Sequence, residues 1–204
     1  LPFGNGIDLK VGKFGTIVGH EVFDYNQNAF FQRGLGFDME PTHHTGILAS
    51  YQATDDLAVQ LGFANDTTTA ETSTSADDGS SAYLAGLSYT LPDSMGFAAG
   101  TAITLATVRG ASAVGTPEVD RDNTYLGVSL PSVVENLSID FAADWGETGD
   151  NDDEIYQVYA GYALNDKATL NLRYEWGLSD NAPIPGGAFG VESLAIGLTY
   201  DLWE

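Results

Sequence analysis

Near the C-terminus, Leu194, Ile196, Leu198, Tyr200 and Leu202 take every second position, with Ser193, Ala195, Gly197, Thr199 and Asp201 between them. A period of two puts the two sets on opposite faces of an extended chain; a helix needs a period near 3.6. The pattern recurs. Leu57, Val59, Leu61 and Phe63 oppose Ala58, Gln60 and Gly62. Leu137, Ile139, Phe141, Ala143 and Trp145 oppose Ser138, Asp140, Ala142, Asp144 and Gly146, and Leu170, Leu172, Tyr174 and Trp176 oppose Thr169, Asn171, Arg173 and Glu175. Ten strands are expected, near 6–16, 43–52, 57–65, 82–91, 96–108, 123–130, 137–147, 154–164, 168–178 and 192–203. Two are ambiguous. In 154–164, Tyr156, Val158 and Tyr162 compete with Ile155 and Tyr159 for the apolar face, and 96–108 is mostly Ala, Gly and Thr.

The links between these segments fall into two classes. Those at 53–56, 92–95, 131–136 and 165–167 are tight and rich in turn formers. Those at 17–42, 66–81, 109–122, 148–153 and 179–191 are long or polar. Long and short alternate strictly, so each class gathers at one rim, and both chain ends fall at the short-turn rim. That asymmetry is the pattern of an all-β, antiparallel up-and-down transmembrane β-barrel. The expectation is therefore about ten strands, forming either one barrel domain over 1–204 or the C-terminal part of a larger barrel.

Composition excludes several other classes. Seven Lys and Arg against 29 Asp and Glu give a formal net charge of −22, which argues against nucleic-acid binding and for attraction of cations. No cysteine is present, so disulfides and thiolate metal sites are excluded. No apolar run approaches the roughly 20 residues that a spanning helix needs. A soluble β-sandwich with carbohydrate-binding loops also alternates, and the mean hydropathy is only −0.08. Against it stand the small residues of the polar faces and the aromatics near strand ends: Tyr51, Tyr89, Trp145, Tyr174, Trp176, Tyr200 and Trp203. These fit an interfacial girdle. The run Gly197-Leu198-Thr199-Tyr200-Asp201-Leu202 is also similar to the closing-strand signal of such barrels.

The N-terminal third carries landmarks: Val11-Gly12-Lys13-Phe14-Gly15, Gly19-His20-Glu21, Asn28-Ala29-Phe30-Phe31-Gln32-Arg33 and Pro41-Thr42-His43-His44-Thr45-Gly46. Together they resemble the OmpL-like β-barrel porins of the outer membrane, most specifically over residues 6–66, with Leu172-Arg173-Tyr174-Glu175 as a later match. The resemblance implies a pore for small solutes, seated in the lipid of the outer membrane. Members of that family are generally longer. Ten strands alone enclose a narrow lumen, because about eight leave an interior just filled by side chains. A complete narrow barrel, a piece of a wider one and a homo-oligomer sharing one barrel all remain open.

If the apolar faces point to lipid, the inward set includes Asp8, Lys10, Asp140, Asp144, Arg173, Glu175 and Asp201. Rings of charge in a pore set ion selectivity, and the excess of acids points to cation preference. The structural alternative is that Lys10 and Arg173 brace the interior by pairing with neighbouring acids. The run Asp150-Asn151-Asp152-Asp153-Glu154 offers oxygen ligands of the kind calcium takes, without the Gly and Glu spacing of a helix-loop-helix site. A solvated acidic rim, or divalent ions bridging to surface glycans, is expected there, and Asp77-Asp78 is a weaker case. No other cofactor is implied. His20, His43 and His44 lie in or beside the first long loop with Glu21 and Asp24, but their spacing does not define a metal site. The aromatics of that loop (Phe23, Tyr25, Phe30, Phe31, Phe37) and Pro41 suggest a folded plug. No catalytic motif is recognisable. The functional expectation is a passive pore, with a non-conducting adhesive barrel as the alternative.

Overall fold

The computed structural model describes residues 2–3, 6–67, 81–112, 119–132, 134–180 and 189–202. A two-residue strand, β1 (Pro2–Phe3), precedes ten long ones: β2 (Ile7–Gly15), β3 (His43–Gln52), β4 (Leu57–Ala64), β5 (Ala82–Thr90), β6 (Ala102–Ser112), β7 (Val119–Ser129), β8 (Leu137–Thr148), β9 (Asn151–Asn165), β10 (Ala168–Ser179) and β11 (Phe189–Tyr200). Each pairs antiparallel with its sequence neighbours, in one sheet of order β1 to β11. The up-and-down expectation holds, and no ladder joins β2 to β11 among the described residues.

Cross-strand partners share a face, so the register extends one strand's alternation across the whole sheet. Leu48 pairs with Gly62, Gly62 with Leu84 and Leu84 with Val108. Val108 pairs with Asn123, Asn123 with Gly146, Gly146 with Asp153 and Asp153 with Ser179. This row lies on the interior face. The other face carries Leu61, Phe63, Tyr83, Leu105, Trp145, Trp176, Leu194, Ile196 and Leu198, all large, apolar and exposed. Tyr51, Trp145, Tyr174, Trp176 and Tyr200 of the predicted girdle stand on that outer face at exposures of 37–56%. Trp203 lies outside the described residues. Tyr156 stacks on Trp176, and Trp176 on Tyr174, at centroid distances of 5.8 and 5.4 Å. The ambiguity in β9 is thereby settled. Tyr156, Val158 and Tyr162 pair with outer-face residues of β10, whereas Ile155, Gln157 and Tyr159 face inward.

Two links depart from the predicted rhythm. The link at 92–95 is not a tight turn: β6 starts only at Ala102, and the 3-10 helix Asp93–Ala98 fills the gap. Pro92 and Gly96 (φ 62°) end the preceding strand and kink that helix. The link at 148–153 is not long. β8 runs to Thr148 and β9 starts at Asn151, leaving a turn at Gly149 (φ 60°) and Asp150. Polar composition there reflects an exposed hairpin, not a loop.

The link between β2 and β3 folds inward. Asn28 staples it: its Oδ1 accepts from Val22 N at 2.9 Å, and its Nδ2 donates to Val22 O and Asp24 O at 2.8 and 2.6 Å. Arg33 donates to Phe23 O at 2.5 Å and lies over the rings of Tyr25 and Phe37, 4.3 and 4.6 Å from their centroids. A single helical turn, α1 (Leu35–Met39), completes it. This one segment touches the interior face of β3 (Thr16 with His44), β7 (Met39 with Arg121), β9 (His20 with Tyr159), β10 (Glu21 with Arg173) and β11 (Ala29 with Thr199). A flat sheet cannot bring strands so far apart in its order to one loop, so the sheet is rolled around it. Ile17 and Val18 fill the apolar side of this interior with Phe14, Leu48, Leu84 and Val108.

Candidate functional site: a charged latch inside the lumen

Opposite that apolar side, the inner surface of β8, β9 and β10 is charged, and the loop brings charges of its own. Arg173 is only 2% exposed. Its Nη1 donates to Glu21 Oε1 at 2.5 Å and to Gln32 O at 3.0 Å, and its Nη2 donates to Arg33 O at 3.2 Å. Its Nε lies 3.1 Å from Glu175 Oε2, close enough for an ion pair but not aligned as a hydrogen bond. Its Cζ sits 5.1 Å from the centre of Phe30. A planar guanidinium with five donors suits such a junction. Glu21 also accepts from Gly34 N at 2.9 Å, and Glu175 Oε1 accepts from Gly36 N at 3.4 Å.

Gly34 and Gly36 make this approach possible. A Cβ at Gly34 would collide with the Glu175 carboxylate, and one at Gly36 with the amide of Gln157 and with Asp144. A short hydrogen-bonded chain continues along the wall. Tyr159 Oη donates to Gln157 Oε1 at 2.5 Å, and Gln157 Nε2 donates to Asp144 Oδ2. Asp144 in turn is hydrogen-bonded to the Glu40 side chain of the loop. Two carboxyl groups can share a hydrogen bond only when one holds a proton. Burial, then the Asp144 charge, push the Glu40 carboxyl well above the usual carboxylate range. His20 stacks on Tyr159 at 3.9 Å. Its pKa is lowered by burial, against the opposing pull of Asp140 and Glu21.

The structure brings together three of the seven sequence candidates: Asp144, Arg173 and Glu175. Asp140 is half-buried on the same face, near His20. Asp8 and Lys10 lie on the interior face of β2 but are exposed, and Asp201 is exposed beyond the end of β11. In the acidic run, Asp150 sits in the tight turn, and alternation along β9 turns Asp153 inward and Asp152 and Glu154 outward, so the run is a hairpin rim rather than a long link. Among the described residues, no group of three or more His, Cys, Asp or Glu is placed to hold a metal ion. Asp77-Asp78 lies outside the described residues. The three histidines do not converge: His43 packs edge-on against Phe23 at 4.5 Å, and His44 bonds Thr16 Oγ1 at 3.1 Å. Of the plug aromatics, Phe30 is buried but Phe31 is 83% exposed.

Sequence reasoning missed Glu40, Gln157 and the two glycines of the latch. Gly34-Leu35-Gly36 was the available signal, since glycines two apart in a loop mark close backbone approach.

An up-and-down sheet with an apolar outer face, rolled around its own first loop, defines the class: an outer-membrane-type β-barrel with an internal plug. The family model described as putative beta-barrel porin-2, OmpL-like, matches residues 1–202, and the chain belongs to that family. Its place is the cell outer membrane. Among solved structures, the chain is similar to the outer-membrane expressed OmpT of Vibrio cholerae, with a TM-score of 0.63 and 17% sequence identity. That match covers 98% of this chain and 63% of the other, so this chain spans less than two thirds of that protein's length. A search of curated proteins gives no match.

Proposed function

We propose that the chain is a passive pore wall whose first loop narrows the lumen, admitting small solutes and ions with a preference for cations and without a catalytic cycle. The observation that carries this reading is the loop itself: it is folded, pinned to the inside of β10 through Arg173, and still leaves exposed acids on the inner face. At the short-turn rim Asp8 is offset by Lys10 two residues on, and Asp38 on the loop adds a negative charge to the path. With a net charge of −22 the wider field has the same sign, and the 8–10 Å reach of charges at physiological salt covers a narrow lumen. The exposed outer face then meets membrane lipid, with its aromatics at the interfaces.

Planar-bilayer recording tests the reading. Steady ohmic steps and a reversal potential of cation sign in a potassium chloride gradient are expected. A correctly inserted but silent barrel would favour the non-conducting surface protein, and anion selectivity would refute the charge argument.

A further inference from the structure

A cavity of about 360 Å³ lies at the long-link end of the lumen, between α1 and the inner face of β7 to β11. That volume is in the range of small-molecule sites. Its polar wall holds Arg121, Asn123 and Asp153, with Asp38 at its edge; Leu35 and Ile155 supply apolar surface. Asn123 is 3% exposed. Its Nδ2 donates to Met39 O at 3.3 Å, which sets the amide orientation, because the flipped form would place Oδ1 against that carbonyl oxygen. Its Oδ1 is consequently a buried acceptor with no protein partner. An unsatisfied buried acceptor costs about 1–3 kcal/mol, so a donor brought by a ligand is favoured there.

The charges select that donor. Arg121 already donates to Met39 O at 2.8 Å and faces the carboxylates of Asp66 and Asp153, so its charge is matched within the protein. Asp38 is exposed, and the site keeps an acidic excess. An anion would meet that excess, and a bare metal ion would find no set of three ligating groups among the described residues. We propose that this cavity binds small organic cations: a primary ammonium with a short apolar body. The ammonium offers three donors, for Asn123 Oδ1 and the Asp38 and Asp153 carboxylates, while the apolar body lies against Leu35 and Ile155.

This deepens the porin reading by naming a solute class, and its test is separable from that reading. Titration calorimetry on the full chain in detergent uses n-butylammonium, with tetramethylammonium (no N–H donor) and butyrate as comparisons at equal ionic strength. Saturable binding of butylammonium alone is expected, weakened roughly tenfold in Asn123→Leu and severalfold in Asp38→Asn, whose exposed position spares the fold. Equal binding of the two ammonium ions, preference for butyrate, or unchanged affinity in Asp38→Asn would overturn the proposal. Binding without bilayer conductance leaves the site standing and removes the pore; conductance without binding does the reverse.

Discussion

Replacing Arg173 by Met removes one charge and four polar contacts while keeping much of the side chain's length. Three of those contacts hold the loop: Glu21 Oε1, Gln32 O and Arg33 O. The fourth is Glu175, on the strand. Glu21 and Glu175 are 4% and 0% exposed at the side chain, so both are left as buried carboxylates without their cation. Removing one partner of a buried pair costs about 3–5 kcal/mol. The seated loop bears this cost, because release lets Glu21 reach water. At 1.4 kcal/mol per tenfold, even the lower figure shifts the seating equilibrium on the order of a hundredfold. The expected result is a larger, noisier single-channel conductance in Arg173→Met, together with faster protease cleavage within residues 16–42. The triple variant that adds Glu21→Gln and Glu175→Gln removes the stranded charges and is expected to recover part of the seating, because these residues act as one network. If Arg173→Met keeps parental conductance and parental protease resistance, the latch is not what seats the loop.

Other consequences are open to measurement. Gly36→Ala places a Cβ against Gln157 and Asp144; a loss of about 1–3 kcal/mol in loop seating is expected, seen as faster proteolysis of the loop. Glu40 holds its proton more tightly in the seated loop than in a released one. Its contribution is therefore full below its ordinary value of 4.5 and is lost as pH rises through its raised value. His20 acts oppositely, resisting protonation when seated, so its effect is confined to pH below its ordinary 6.5. Conductance should therefore rise as rising pH ionises Glu40 and unseats the loop; an equally steep rise in Glu40→Gln would refute the assignment. Ile196 is 69% exposed on the outer face, so Ile196→Arg should cost about 2–4 kcal/mol if it lies near mid-bilayer. Denaturant titration in lipid vesicles measures this, and a neutral result would argue against lipid contact on that face.

Strand existence and facing were readable because a period of two survives in β4, β8, β10 and β11, where one face is apolar and the other is not. The ambiguity in β9 had a physical cause. Both of its faces carry large rings, the outer Tyr156 stacking with Trp176 and the inner Tyr159 stacking with His20. Periodicity alone cannot rank two apolar faces; the register with β10 does. The hairpin at Gly149-Asp150 was hidden because acidic residues suit an exposed strand rim as well as a loop. Arg173 and Glu175 could be placed on one face from their spacing of two. Their loop partners could not, since Glu21 and Gly36 reach them only through the tertiary path of residues 16–42.

That path has a consequence for how the chain reaches its native state. Among the described residues every ladder in the sheet joins sequence neighbours, so the strands can zip hairpin by hairpin at little loop-closure cost. The loop does not follow this rule. Gly36 and Glu175 are 139 residues apart, Glu21 and Arg173 are 152 apart, and Ala29 and Thr199 are 170 apart. An early segment therefore waits for the last strands before it can seat. Until they arrive, Glu21, Glu40 and Arg33 stay solvated and the interior stays open to water. Seating of the loop then reports that early and late strands have both reached it, coupling a string of local hairpins into one cooperative unit.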